Sequence, residues 1–253
     1  MSLAACAAIV ERGDPDRFLA AMSCPPPARE VLFPLYAFNV EVSRAPYVTD
    51  EPMIAEMRLQ WWRDAVEEID AGKAPRAHEV AAPLAGVMRA HDLPAALLDE
   101  AVAARRWDVW KEPFEDAAAF EAHIQRTAGH LAWLSALGLG AGAAEEAGVR
   151  EVAHAGGVAA WLQAVPALEA KGLQPLVAGR PDDVRALAGA ALARLKAARV
   201  RSEAARLAVR PAWQAGTLLR LAVREPERVA RGALALSEFR RKALLGWRAA
   251  RRG

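Results

Sequence analysis

The chain has 253 residues, 54% of them hydrophobic and 25% charged, which excludes a disordered or fibrous protein and leaves apolar material for a sizeable core. Its 33 basic and 31 acidic side chains nearly cancel, so it is no bulk polycation and nucleic acid is not expected as a partner. Ala, Leu, Arg and Glu dominate and only 6% of residues are aromatic, a balance that favours helix over sheet.

In chain order, Met1 to Arg17 has no basic region ahead of its short apolar stretch and does not read as a signal peptide. Cys6 and Cys24 make neither a disulfide framework nor a metal-ligand cluster, and suit a reducing compartment. Pro25-Pro26-Pro27 precedes a helix expected from about Ala28 to Tyr47. Asp50-Glu51-Pro52 is a helix start, a capping acid with proline in the first turn, and Gly72 stops that helix after about Ala71. Further helices are expected over 78–91, 94–110, 114–139, 144–170, 181–207, 211–224 and 226–251, with short connections rich in Gly or Pro. No β-branched alternation is long enough to build a sheet. Thr127 to Ala144 is the most apolar stretch, but it is short for a membrane span, carries His130 and is broken by Gly138, Gly140 and Gly142, so a buried helix is expected. The expectation is one all-α domain over residues 1–253, cytoplasmic or peripheral at a membrane, with segments 33–42, 127–139 and 156–168 at its centre.

Segment 226–251 interleaves Arg228, Arg231, Arg240, Arg241, Lys242, Arg248 and Arg251 with Leu234, Leu236, Phe239, Leu244, Leu245 and Trp247. That is a basic amphipathic helix, either packed on the bundle with its arginines solvated or docked on an anionic membrane surface or an acidic partner.

Chemistry-bearing motifs are sparse. Gly138-Leu139-Gly140-Ala141-Gly142 follows a helix instead of opening one, so it is no phosphate loop. His78, His91, His123, His130 and His154 are too widely spaced for a mononuclear metal site, and only His123 and His130 are expected on one helix face. The densest constellation is Glu56, Gln60 and Asp64, a stripe at four-residue spacing. It either faces a cavity and holds a polar ligand or a cation, or is a solvated face with Arg63 pairing Glu67 and Trp61/Trp62 anchoring the other side.

Several blocks in matching order resemble the squalene/phytoene synthase family: Arg17-Phe18-Leu19, Val31 to Asn39, Met57-Arg58-Leu59-Gln60-Trp61-Trp62-Arg63-Asp64, Ala104-Arg105-Arg106-Trp107-Asp108 and Thr127-Ala128-Gly129. The likeness is nearest to the branch containing the mitochondrial complex I assembly factor and its bacterial relatives. It implies an isoprenoid-synthase-like helical bundle around a central apolar cavity, lined by Phe18, Tyr36, Phe38, Asn39, Gln60, Asp64, Arg105 and Asp108. Active members join two prenyl diphosphates head to head, using two Asp-rich motifs whose Mg²⁺ ions bridge to the diphosphates.

This sequence departs from that pattern. Aligned on Tyr36-Ala37-Phe38, the first motif's acids fall at Ser43 and Tyr47 and its Arg at Val40. Aligned through Gly156-Gly157, the second motif's acids fall at Ala164 and Leu168, and its Arg at Gln163. No aspartate occurs between Asp116 and Asp182, and Glu169 is the only acid in 156–176, so a small shift in register restores neither clamp. Removing a single electrostatic contact to a transition state lowers rates by on the order of 10²–10³. The resemblance with these departures implies a binding protein with no catalytic residues, no metal and no cofactor. Its implied associations are complex I subunits or assembly factors, an isoprenoid-like lipid and the inner membrane. The alternative is an active, Mg²⁺-dependent head-to-head prenyl transferase with a rearranged acidic site of Glu41, Glu56, Asp64 and Asp108.

Overall fold

The computed structural model describes residues 2–237, 239–241, 243, 244 and 246. Four of its helices begin where short polar side chains satisfy one of the first free N–H groups. Ser2 accepts from Ala5 N, Asp14 from Arg17 N, Asp116 from Ala119 N and Ser202 from Ala205 N. The elements are α1 (Leu3–Gly13), α2 (Pro15–Met22), α3 (Pro26–Arg44), α4 (Pro52–Asp70), α5 (Ala81–Ala90), α6 (Ala95–Ala103) and α7 (Arg106–Trp110). They continue as α8 (Ala117–Ile124), α9 (His130–Gly138), α10 (Glu146–Glu169), α11 (Pro181–Ala197), α12 (Glu203–Ala208), α13 (Ala215–Arg224) and α14 (Glu227–Ala230). Among the described residues there is no strand, so the all-α expectation holds.

Three apolar cores organise the described bundle, the smallest joining α9, α10 and α12 through Trp133, Val149 and Ala205. The first is built on α1, α3, α4, α5 and α6, around Leu32, Leu35, Leu59, Ile69, Leu84 and Leu98. The second joins α8, α10, α11 and α13 through Ile124, Leu162, Ala188 and Leu219. Burying one such Leu or Ile is worth about 2 kcal/mol. Helix α3 buries Val31 to Phe38 without a gap and packs on α1, α2, α5 and α9, while α10 packs on α9, α11, α13 and α14. These two helices belong to different cores, and the cavity described below lies between them.

Three expected helices are broken by tertiary contacts. Segment 94–110 divides at Ala104–Arg105 into α6 and α7. Segment 181–207 divides at Ala198, because the following backbone is drawn onto α10: Gly148 has no Cβ to meet the Arg199 carbonyl, and the Glu145 carboxylate accepts from Arg201 N (3.0 Å) and Ser202 N (3.1 Å). The basic helix expected over 226–251 is interrupted after α14, where Gly232 takes a positive φ of 64°, and the described residues 239–241, 243, 244 and 246 are helical again. The chain then runs without helix through Ser237, with Leu234 buried and its carbonyl accepting from Gln163 Nε2 (2.9 Å). Of its basic and apolar positions, Lys242, Leu245, Trp247, Arg248 and Arg251 lie outside the described residues. No described helix is long and apolar enough to cross a membrane.

Candidate functional site

Along α3, Tyr36, Asn39 and Ser43 recur at helical spacing, and Tyr47 continues the line from the 3₁₀ turn Ala45–Tyr47. Facing them, α10 presents Ala153, Gly156, Gly157, Ala160, Ala164 and Leu168. The small residues on α10 leave room for a slot of about 390 Å³, within the range of ligand sites. Its wall includes Thr127 and Ala128, which sit in a π-helical turn, Gln125–Gly129, between α8 and α9. Thr127 Oγ1 donates to the His123 carbonyl (2.7 Å), a back-bond that perturbs the helical ladder there. A Cβ on Gly157 would stand 2.8 Å from Ala128 Cβ and 2.9 Å from Ile124 Cγ2, so this close crossing requires glycine.

At the Tyr47 end, the phenol donates to Asp108 Oδ1 (2.5 Å) and Arg105 Nη1 lies 3.7 Å from Asp108 Oδ2. Asp108 is only 3% exposed, and its Oδ2 has no hydrogen-bond partner. Burial raises its carboxyl above the usual range, against the opposing pull of Arg105 and Tyr47. The Tyr47 phenol is raised as well, by burial and then by Asp108, and stays protonated. Lys171 Nζ rests over the Tyr47 ring, 3.5 Å from its centre. Toward α2 the lining contains Asp14, Asp16 and Arg17. Arg17 pairs with Asp14 (2.8 Å), and Asp16 accepts from Gln214 Nε2 (2.8 Å) and is paired with Arg241. Trp161 closes one side, backed by Trp107, Phe114 and His123, and burial in that aromatic cluster lowers His123 to about 3.

Of the expected lining residues, Tyr36, Asn39, Arg105 and Asp108 border the slot, and four do not. Phe18 packs 5.8 Å from Phe33, and Phe38, two residues on from Tyr36, turns to the opposite side of α3 and meets Trp62 edge-on. Gln60 and Asp64 are also a correction. Leu59, Trp62, Val66 and Ile69 fix the buried face of α4, which leaves Gln60 donating to Asp64 (2.7 Å) and Asp64 near Arg76 (3.4 Å). The expected Arg63–Glu67 pair is replaced by Arg63–Asp99 (2.6 Å). His123 and His130 do not share a face, because the π turn lies between them; His130 instead bonds Glu100 (2.8 Å) and Arg150 (3.0 Å). Sequence reasoning passed over Asp14 and Asp16, whose only local signal is a helix-capping acid before proline.

The acids of the alternative site are dispersed. Glu41 lies 4.0 Å from Arg44, Glu56 pairs with Arg106 (2.8 Å), Asp64 lies by Arg76, and Asp108 stands alone among them on the slot. Among the described residues, no three His, Cys, Asp or Glu side chains group to hold a metal ion, so the donor set does not fit a Mg²⁺ cluster. Ser43, Tyr47, Ala164 and Leu168 do border the slot, together with Gln163.

A helical slot between apolar cores, with polar groups at both ends, defines an isoprenoid-synthase-like fold. The squalene/phytoene synthase family model matches residues 10–238, and the chain belongs to that family. A dehydrosqualene synthase structure superposes with a TM-score of 0.80 at 15% identity, covering 98% of this chain and 95% of that one. The squalene synthase HpnC from Alicyclobacillus acidocaldarius gives 0.64 at 17%, covering 99% and 94%. The human NADH dehydrogenase (ubiquinone) complex I assembly factor 6 is 26% identical over 130 residues, 51% of this chain and 39% of the human protein. Its Drosophila melanogaster homolog is 41% identical over 64 residues, 25% and 19% of the two chains. The match thus spans about two fifths of the human relative's length or less.

Proposed function

We propose that this protein is a non-catalytic member of the squalene/phytoene synthase family that acts by binding, in assembly of a respiratory NADH dehydrogenase, with an apolar ligand in its slot. One observation carries the first part. The four positions where the resemblance places the family's motif acids, Ser43, Tyr47, Ala164 and Leu168, border the slot and none bears a carboxylate. A diphosphate leaving group needs its charge neutralised, and the dispersed acids Glu41, Glu56 and Asp64 offer no replacement clamp. The likeness to complex I assembly factor 6 supports the assembly role and a partner among complex I subunits or assembly factors. Peripheral contact with the inner membrane belongs to the same reading.

The test is incubation of the purified protein with farnesyl and geranylgeranyl diphosphates, with and without Mg²⁺, followed by extraction for hydrocarbons. No C30 or C40 product is expected beside an active relative as control. A Mg²⁺-dependent product overturns the reading and restores the transferase.

A further inference from the structure

The slot carries its own indication of ligand chemistry. Three carboxyl groups and two guanidiniums line it, and each charge is already engaged: Arg17 with Asp14, Arg105 beside Asp108, and Asp16 with Gln214 and Arg241. Lys171 lies over the Tyr47 ring and is not part of the lining. Two of the lining residues carry an unsatisfied buried polar atom, Asp108 Oδ2 at the Tyr47 end, on a residue 3% exposed, and Tyr36 Oη toward the other end. Buried polar atoms are almost always hydrogen-bonded, so an orphan at the wall of a cavity marks the place of a ligand atom.

We propose that the slot takes an uncharged amphiphile, a long apolar chain ending in a hydroxyl, and that Asp108 Oδ2 is the hydrogen-bonding anchor of its head. The tail would lie along the line from Tyr47 back to Tyr36, roughly 17 Å by helical rise, over Ala164, Ala160 and Gly157. Tyr47 occupies Oδ1, which leaves Oδ2 as the carboxyl oxygen available to the hydroxyl of the head, and burial raises the carboxyl above its ordinary range. The inference rests on the non-catalytic reading and adds the class of ligand.

The test uses three probes with one tail: farnesol, farnesene and farnesyl diphosphate, titrated calorimetrically into the full-length protein without Mg²⁺. Farnesol is expected to bind at least about ten-fold tighter than the diphosphate. Asp108→Leu is expected to weaken farnesol about five-fold while leaving farnesene unchanged, which also shows that the variant is folded. Asp108→Asn, which keeps a hydrogen-bonding side chain at that position, is expected to recover most of the farnesol affinity. Equal or tighter diphosphate binding without turnover overturns this inference and leaves the non-catalytic reading standing. Turnover with Mg²⁺ overturns both. Failure of all three probes, with no lipid in a solvent extract of the purified protein, removes the slot ligand altogether. Unchanged farnesol affinity in Asp108→Leu overturns Asp108 as the anchor.

Discussion

Asp108 and His123 are buried titratable groups whose proton affinities are shifted in opposite directions, with opposite consequences for stability. His123 is held near 3 against an ordinary 6.5, so the unfolded chain binds its proton first and stability is lost as pH falls below about 6.5. At pH 5 this single ring costs about 2 kcal/mol relative to neutral pH. His123→Phe, which removes the buried Nε2 lacking a partner, should flatten that loss in urea melts run between pH 7 and 5. Asp108 is raised, so its contribution is present at low pH and is lost as pH climbs through its folded value. The melting temperature of Asp108→Asn should therefore fall less than that of the parent as pH rises from 4 to 8. Of the two residues, only Asp108 was legible as a site candidate, because it sits in a recognisable block after Arg105-Arg106. His123 was legible only as a lone histidine, since its aromatic surroundings come from α7, α10 and the connection between α7 and α8.

Whole helices were positioned by contacts that local periodicity does not carry. Helix α10 is held close to its neighbours by glycines. A Cβ on Gly148 would lie 1.9 Å from the Arg199 carbonyl oxygen, a backbone atom that cannot swing away. Gly148→Ala should therefore destabilise the protein by about 1–3 kcal/mol, measured as a lower urea midpoint. The slot face of the same helix predicts the converse. Ala164→Phe should fill part of the slot and weaken farnesol binding by about ten-fold, with the urea midpoint little changed. The breaks at Ala104–Arg105 and Ala198, and the π turn at Gln125–Gly129, mark where tertiary packing overrode a continuous helical pattern.

For the molecule as a whole, a strain lacking the gene should contain less assembled NADH dehydrogenase on native gels; unchanged assembly would sink that role. The amino-acid sequence by itself determined the all-α fold and the family. Helix-forming composition, capping acids and proline starts act within a few residues, and the blocks around Tyr36–Asn39 and Gln60–Asp64 can be read without knowing what they touch. Only the tertiary structure decided which face of each helix meets the slot. Gln60 and Asp64 are turned outward because Leu59, Trp62, Val66 and Ile69 must be buried, and Asp14 and Asp16 reach the slot because α2 packs beside α3. The choice belongs to residues distant in sequence, since Asp16 meets Gln214 and Tyr47 meets Asp108 only after the helices between them have packed.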